Sequence, residues 1–245
     1  TGGFVDVTSQ LPLKSLVPKL GSPLQVPAGL SGMALDVDAD GDLDLVWLHG
    51  EDTVTLLTQT STWKFTATTL LKSNTPILAL AATDQDADGV PEIVVGGSAL
   101  AVLERKKDGS YAKSSVSADL QIPTKNASVQ HILSTDINGD GLLDLVVGIF
   151  TCSPTAQALR VFINRGGQGY VERSKWLGLS MKGSVWASMF SDYNNDGKLD
   201  LLVLTDSCAP KAGVGLYLRQ PDPQPGSSSF VPYKLAQAAN FFTAP

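Results

Sequence analysis

One acidic loop pattern occurs four times in this chain, beginning at residues 36, 84, 136 and 192. Each copy has an oxygen-bearing side chain at loop positions 1, 3, 5 and 9 and glycine at position 6. Alternate residues of such a turn can converge on one cation, the glycine permits the bend, and the position-7 carbonyl can add a ligand. The pattern therefore predicts four Ca²⁺ sites. With position 7 included, the predicted ligands are Asp36, Asp38, Asp40, Asp42 and Asp44; Asp84, Asp86, Asp88, Val90 and Glu92; Asp136, Asn138, Asp140, Leu142 and Asp144; and Asp192, Asn194, Asp196, Lys198 and Asp200.

Two other interpretations of the loop are weaker. An EF-hand needs a bidentate glutamate at position 12 and a helix on each side. Position 12 is Trp47, Val95, Val147 or Val203, and each loop leads into an apolar, β-branched run that is typical of a buried strand. An Asp/Gly turn that satisfies only its own backbone would explain one copy. Four copies in register argue against it.

The loops recur with a period of about 50 residues, which indicates a repeat architecture. An apolar segment enters each loop and a strand leaves it, and a third strand runs to a polar or glycine-rich turn such as 165–169. An aromatic residue then opens a fourth strand, at Phe65, Tyr111, Tyr170 and Phe230. Four antiparallel strands per repeat predict the blades of an all-β β-propeller, with the acidic loop between strands one and two.

The DxDxDGxxD motif at this place in a blade resembles the FG-GAP and VCBS-type repeats of integrin alpha-subunit propellers and of many secreted bacterial proteins. Residues 4–8 and 169–173 further resemble the ASPIC/UnbV-type variety. The resemblance spans nearly the whole chain, although the literal Phe-Gly and Gly-Ala-Pro signatures are absent. It implies a calcium-binding propeller, and only the calcium positions carry over residue by residue.

We treat residues 1–245 as a single propeller or propeller segment. Residues 4–8 resemble a fourth strand without its blade, and residues 238–245 resemble the lead-in to another blade. We therefore expect part of a larger propeller, completed by further sequence or by another chain. An unusually small closed ring is the alternative.

Composition favours a folded, exported module. More than half of the 24 acidic residues lie at predicted ligand positions, so the formal charge of −6 reflects cation binding rather than a basic partner. No Lys/Arg cluster suggests nucleic-acid binding, and no apolar run is long enough to span a bilayer. Oxygen-ligand sites of extracellular modules bind calcium at about 10⁻⁴ to 10⁻³ M. We therefore expect an extracellular, cell-surface or periplasmic location.

The two cysteines, Cys152 and Cys208, follow their loops at equivalent distances in the matching phrases 151–154 and 207–210. Equivalent loops of neighbouring blades face the same side, so we expect a disulfide if the Cα atoms approach within about 7 Å. Two free thiols are the alternative. A zinc site is disfavoured because the chain has only two histidines.

Three functions from different classes remain open. The first is a calcium-stabilised adhesion or interaction module that binds a protein through the face opposite the loops, because binding residues concentrate on loops held by a rigid scaffold. That face would carry 49–52, 96–98, 151–157 and 205–211, with interblade segments near Ser31, Asn74, Asn126 and Lys182. The second is a carbohydrate-binding propeller, and the third is a fragment of a propeller polysaccharide lyase.

Particular side chains bear on these alternatives. Trp63, Trp176 or Trp186 could stack on a sugar ring, although each could instead pack between blades, and Trp186 is expected in the core of an innermost strand. His49 and His131 occupy different blade positions without a catalytic motif around them, so we expect them to be ordinary loop or strand residues and the protein not to be an enzyme.

Overall fold

The computed structural model describes residues 32–122, 127–151, 153, 155–205, 213–221 and 229–233. These residues form four antiparallel sheets of four strands each, in which neighbouring strands follow chain order. We call the sheets blades 1 to 4. The strands are β1 Gly32–Leu35, β2 Asp44–His49, β3 Thr53–Ser61 and β4 Lys64–Lys72 in blade 1; β5 Ile77–Thr83, β6 Glu92–Gly97, β7 Leu100–Arg105 and β8 Tyr111–Lys113 in blade 2; β9 Ser128–Thr135, β10 Asp144–Phe150, β11 Leu159–Asn164 and β12 Tyr170–Glu172 in blade 3; and β13 Val185–Ser191, β14 Asp200–Thr205, β15 Gly213–Arg219 and β16 Phe230–Tyr233 in blade 4.

The all-β, blade-like architecture predicted from the repeats is confirmed. Each acidic loop joins the first and second strands of its blade, and a strand follows it where an EF-hand would have a helix. Three of the predicted aromatic residues, Tyr111, Tyr170 and Phe230, open the fourth strand of their blades, and Phe65 is the second residue of β4. Helical structure in the described part of the chain is limited to a 3-10 turn (Ser115–Ala118) and a one-turn helix, α1 (Ser174–Leu177).

Blades stack face to face, and this stacking explains why the second strands are so apolar. Residues one and three places after the position-9 acid point towards the preceding blade, which we call the backward face. Residues two and four places after it point towards the next blade, which we call the forward face. Strands β6 and β10 are buried on both faces, so both sets of their positions are apolar.

Three apolar clusters lie between successive blades. Their forward-face and backward-face members are Val46 and Leu56 with Ile93 and Val95 between blades 1 and 2; Val94 and Val102 with Leu145 and Phe162 between blades 2 and 3; and Val146 and Val161 with Leu201 and Phe230 between blades 3 and 4. The forward-face pairs occupy equivalent register positions in the three blades, and the residue after the position-9 acid is a backward-face member at each junction. The sheets are therefore held together by one repeated packing scheme.

Some predictions concern residues outside the described part of the chain. These are the terminal segments 4–8 and 238–245, both cysteines, Ser31, Asn126 and most of 205–211. The expected disulfide and the expected larger propeller therefore stay predictions, as does the extent of the domain. In the described part of the chain, no helix has the length and apolarity needed to cross a membrane.

One expectation about the core was wrong. Trp186 lies in β13 as predicted, but 44% of it is exposed. The pairing of β13 with β14 shifts register between Val185 and Ala187, and this irregularity turns the indole out of the interblade core. The indole instead contacts Phe150 edge to face, with ring centroids 5.6 Å apart.

We predict that Gly96→Ala destabilises the fold at the junction of blades 2 and 3. A Cβ atom at Gly96 would lie 2.5 Å from Val129 Cγ1 and 3.0 Å from Ile132 Cδ1, both on the next inner strand. Such overpacking costs about 1–3 kcal/mol, measurable by denaturant unfolding. Gly32→Ala is the matched control, because the nearest atom there is 3.6 Å away. Equal stability of the two variants would contradict close approach of the blades.

Candidate metal centres

The four acidic loops share one backbone conformation and lie at one edge of the sheets, which we call the loop edge. Position 4 adopts a left-handed conformation in each loop, with φ of 60°, 60°, 83° and 59° at Ala39, Ala87, Gly139 and Asn195. Position 6 is also left-handed, with φ between 82° and 90°, and is always glycine: Gly41, Gly89, Gly141 and Gly197. Two positive-φ residues in one turn make the chain reverse sharply, so the odd-numbered side chains point into a common space.

The position-1 aspartate organises the turn from inside. The N–H groups of positions 5 and 6 donate to its two carboxylate oxygens in all four loops. In the first loop, Asp40 and Gly41 donate to Asp36 at 3.2 and 2.9 Å. In the fourth, Asp196 and Gly197 donate to Asp192 at 3.0 and 2.8 Å. These bonds hold the carboxylate at the centre of the loop.

The position-5 aspartate closes the second half of the turn. One of its oxygens accepts the N–H of position 7 at 2.9 Å in the first and third loops, at 2.7 Å in the second and at 3.0 Å in the fourth. The position-7 residues differ widely: Asp42, Val90, Leu142 and Lys198. The donor at position 7 is a backbone N–H, so the same hydrogen bond forms with each of these four side chains. This explains why the residue type can vary at this position.

The position-9 acid ties the loop to the blade. In three loops one oxygen accepts the N–H of position 2, and the other accepts an N–H of the third strand or of its end. For Asp144 the donors are Ile137 at 2.9 Å and Asn164 at 2.8 Å. The equivalent donors are Val37 and Gln59 for Asp44, and Tyr193 and Arg219 for Asp200. All three carboxylates are completely buried.

The second loop departs from this scheme because its position-9 acid is longer. Glu92 accepts the position-2 N–H of Gln85 at 2.7 Å. A carboxylate oxygen of Glu92 also lies within 4.8 Å of ligand oxygens of Asp84 and Asp86. In this loop the position-9 acid therefore stands beside the cation space itself.

The loops fit an oxygen-seeking cation. Ligand oxygens of Asp36, Asp38 and Asp40 also lie within 4.8 Å of one another. Within the described part of the chain, Asp38 Oδ1 is buried without a hydrogen-bond partner, which is costly unless a cation satisfies it. Calcium takes several carboxylate and carbonyl oxygens in flexible geometry, and this donor set matches it. Carboxylates this close repel one another, and the positive charge of a bound cation would offset that repulsion.

The third and fourth loops carry less charge. Position 3 is asparagine there, and its amide donates to the position-5 carboxylate, from Asn138 to Asp140 at 2.8 Å and from Asn194 to Asp196 at 3.0 Å. A neutral amide removes one repulsive charge and adds an internal bond. These two loops should therefore hold their shape better without a cation than the first two.

Burial raises the pKa of three position-9 acids, Glu92, Asp144 and Asp44. Desolvation raises the pKa of Glu92 to about 7 and outweighs the lowering effect of the Gln85 N–H, while the neighbouring aspartates raise it further. Desolvation likewise raises the pKa of Asp144 to about 6, against the N–H groups of Asn164 and Ile137. The pKa of Asp44 is raised for the same reason.

Comparison with protein families gives a match to the FG-GAP-like repeat over residues 36–95 and 136–203. These residues make up more than half of the chain and include all four loops. The chain belongs to the FG-GAP-like repeat family. Each matched region holds two FG-GAP-like loops and the blade strands between them. Comparison with curated proteins finds no match.

Comparison with solved structures aligns the chain with the crystal structure of the V. cholerae biofilm matrix protein Bap1. The TM-score is 0.47 and the sequence identity is 17%. The alignment covers 81% of this chain and 27% of that chain. The FG-GAP-like chain thus corresponds to about a quarter of the length of that structural neighbour.

The structure brings ligand oxygens of Asp36, Asp38 and Asp40 together in the first loop, and those of Asp84, Asp86 and Glu92 in the second. The calcium-binding role of every predicted ligand in the four FG-GAP-like loops stays a prediction. Sequence reasoning missed the second function of position 9, which is to bind the third strand. It also missed Asn164, whose amide donates to the Gln85 carbonyl of the neighbouring blade at 2.9 Å. The third-strand N–H donors lie 15, 20 and 19 residues after the position-9 acids that accept them. Because the spacing varies and any backbone N–H can donate, no sequence pattern marks these donors.

The two histidines are strand residues, as expected. His49 ends β2, and its Nε2 lies 2.9 Å from Thr55 Oγ1. His131 lies in β9, and its Nε2 lies 3.0 Å from Ser188 Oγ of blade 4. Burial lowers the pKa of His131. Each ring thus has a structural hydrogen-bond partner.

We predict that Asp144→Ala and Asp140→Ala separate the two roles of the loop acids. Asp144→Ala leaves two buried N–H groups without an acceptor and should therefore cost about 2–4 kcal/mol even in chelator. Asp140→Ala removes the acceptor of two exposed hydrogen bonds, which water can replace, so it should cost less in chelator than Asp144→Ala. It should also lose the calcium-dependent gain of its site. At 1 mM Ca²⁺ that gain is about 0.4–1.4 kcal/mol per site for the weak affinities typical of extracellular modules. Thermal unfolding with and without calcium, with native mass spectrometry of bound ions, measures both.

Equal losses for the two variants in chelator would contradict the assignment of position 9 as a structural tie. An unchanged calcium response of Asp140→Ala would contradict its role as a ligand.

We predict that stability in chelator falls as pH rises through the range set by Glu92. Its pKa is about 7 in the folded protein, against an ordinary value of 4.5. Between these values the folded protein holds a proton that the unfolded chain has lost, so rising pH favours unfolding. The unfolding midpoint in chelator should therefore decrease between about pH 5 and about pH 7.5, and less so for Glu92→Gln. A midpoint with the same pH slope in both proteins would contradict the raised pKa.

Proposed function

We propose that this chain is a calcium-stabilised, extracellular adhesion-type module that binds a protein partner through the edge opposite the loops. The family assignment and the shared loop geometry support a scaffold whose loop edge is committed to cation binding. Millimolar calcium outside the cell is the condition under which weak all-oxygen sites fill. We infer a binding role rather than a catalytic one.

An open cleft on the opposite edge carries the proposal. It encloses about 480 Å³ where blade 1 passes into blade 2 and is lined by Glu51, Asp52, Lys72, Ser73, Asn74, Thr75 and Pro76. Carboxylates, an ammonium group and hydroxyls lie together there beside an apolar hollow of about 110 Å³ that includes Leu71, Ile77 and Val95. Mixed polar groups around an apolar centre suit a protein surface.

The backbone around the cleft is held firmly. The Ile77 N–H donates to the Glu51 carbonyl at 2.7 Å, and the Ser73 N–H donates to the Asp52 carbonyl at 2.8 Å. The hydroxyls of Thr75 and Ser98 lie 2.9 Å apart and join the interblade segment to the next turn. A pre-formed surface loses little conformational entropy on binding.

A second candidate function, glycan binding, is favoured by the Phe150–Trp186 pair. Phe150 ends β10 and Trp186 lies near the start of β13, so the pair sits at the same opposite edge. An exposed indole supported edge to face can stack on a sugar ring. A glycan array with no hits for the calcium-loaded protein, or hits unchanged by Trp186→Ala, would rule this candidate out.

We predict that a photo-crosslinking amino acid at position 74 captures a protein partner from the surface and secreted proteins of the source cells. The matched control carries the same amino acid at Leu43, an exposed loop-edge position. Capture from position 74 alone, abolished by Lys72→Glu with an unchanged calcium response, is expected. Equal capture from both positions, or none from position 74, would contradict the proposal.

A further inference from the structure

Two tyrosines lie outside the acidic loop pattern but occupy equivalent places in neighbouring blades. Tyr111 opens β8 and pairs with Arg105, and Tyr170 opens β12 and pairs with Asn164. Arg105 and Asn164 each stand two residues after the strand partner of the first residue beyond the position-9 acid. Side chains two places apart on a strand share a face, so both tyrosines belong to the backward face, which meets the preceding blade.

Tyr170 shows where a side chain at this place ends. Its hydroxyl lies 3.4 Å from Thr83 Oγ1 of blade 2. Thr83 is the last residue of β5 and comes directly before Asp84, position 1 of the second loop. Tyr170 and Thr83 are both almost completely buried. A tyrosine at this place therefore crosses the junction and reaches the base of the preceding blade's acidic loop.

Tyr111 occupies the same place at the junction of blades 1 and 2, where its side chain packs against the apolar cluster that these blades share. The residue equivalent to Thr83 is Leu35, which ends β1 and pairs with Asp44 as Thr83 pairs with Glu92. Leucine has no polar side-chain atom to offer. Among the described residues, Tyr111 Oη is buried without a hydrogen-bond partner, which is unfavourable.

The first loop holds an atom of complementary chemistry. Asp38 Oδ1 is also buried, and no residue in the described part of the chain donates a hydrogen bond to it. A phenol hydroxyl can donate and a carboxylate oxygen can accept, so each group has what the other lacks. Burial raises the pKa of Tyr111 to about 12, Arg105 opposes this effect, and the charges of Asp44 and Asp38 raise the pKa further. The hydroxyl thus lies in the electrostatic environment of the first loop.

We propose that Tyr111 is a positioning residue of the first cation site, where its hydroxyl donates through one bridging water molecule to Asp38 and holds that carboxylate for the cation. Hydrogen-bond partners of this kind orient metal ligands and tune their affinity, and a bridging water is nearly as favourable as a direct hydrogen bond. The first site is then shared between two blades. The second loop receives no such help, because the Tyr170 hydroxyl already has Thr83 as its partner. This inference rests on the calcium binding of the proposed function.

The test isolates the first site in the full chain. Asp88→Ala, Asp140→Ala and Asp196→Ala together remove the position-5 acid from the other three loops. The unfolding midpoint across a calcium titration then reports the Kd of the first loop. Adding Tyr111→Phe should raise this Kd about tenfold or more. Tyr170→Phe is the matched control, because it removes the same atom from the equivalent place, and it should leave the Kd unchanged.

Unfolding of the chain with all four loops intact gives a second readout. Tyr111→Phe removes a hydroxyl that has no partner, so the unfolding midpoint in excess chelator should not fall. In calcium the same variant should lose part of the calcium-dependent rise. Tyr170→Phe removes the hydrogen bond to Thr83, so its loss should be the same in chelator and in calcium.

An unchanged Kd of the first loop in Tyr111→Phe would overturn the proposal. A loss of stability in chelator as large as that in calcium would also overturn it, because the hydroxyl would then serve the fold alone. If the chain with four intact loops bound no calcium, this inference and the calcium stabilisation of the proposed function would both fail. Normal calcium binding that is insensitive to Tyr111 would overturn this inference only, so the two failures are distinguishable.

Discussion

The hydrogen bonds accepted by a buried position-9 aspartate are the interaction on which three of the four blades depend. In three blades it accepts one N–H from the start of the acidic loop and one from the third strand or its end. A single side chain thus holds the loop against a segment that follows much later in the chain. Because both oxygens are used, the carboxylate can be buried completely at a tolerable cost. These two hydrogen bonds hold the loop in one position relative to the blade.

The cation space is built on top of that tie. The carboxylates at positions 1 and 5 accept N–H groups of the turn. In the first loop their oxygens also lie within 4.8 Å of an oxygen of Asp38. The second loop combines both functions, because the longer Glu92 reaches the aspartates while still holding Gln85. Glu92, whose pKa is about 7, is therefore the carboxylate through which the fold of that loop would be coupled to a bound cation.

Stacking of the blades sets the second level of organisation. Strand registers are equivalent from blade to blade, so forward and backward faces meet in the same way at each junction. Hydrogen bonds such as that from the Asn164 amide to the Gln85 carbonyl join neighbouring blades near the loop edge. At the other edge, turns and interblade segments bond to one another and enclose the cleft. Both edges of the sheets therefore carry loops that are held by hydrogen bonds to the scaffold.

The sequence by itself determined the repeat, the four-stranded blades and the loop acids, because loop spacing and apolar runs are local patterns. It could not show that Asp44, Asp144 and Asp200 also bind a third strand, since the donors lie far along the chain. It also placed Trp186 in the core, whereas a register shift beside Ala187 turns the indole outward. Only the tertiary structure decided which apolar residues are covered, because coverage depends on a neighbouring blade. That is why Leu202 and Val146 have the same register but different surroundings.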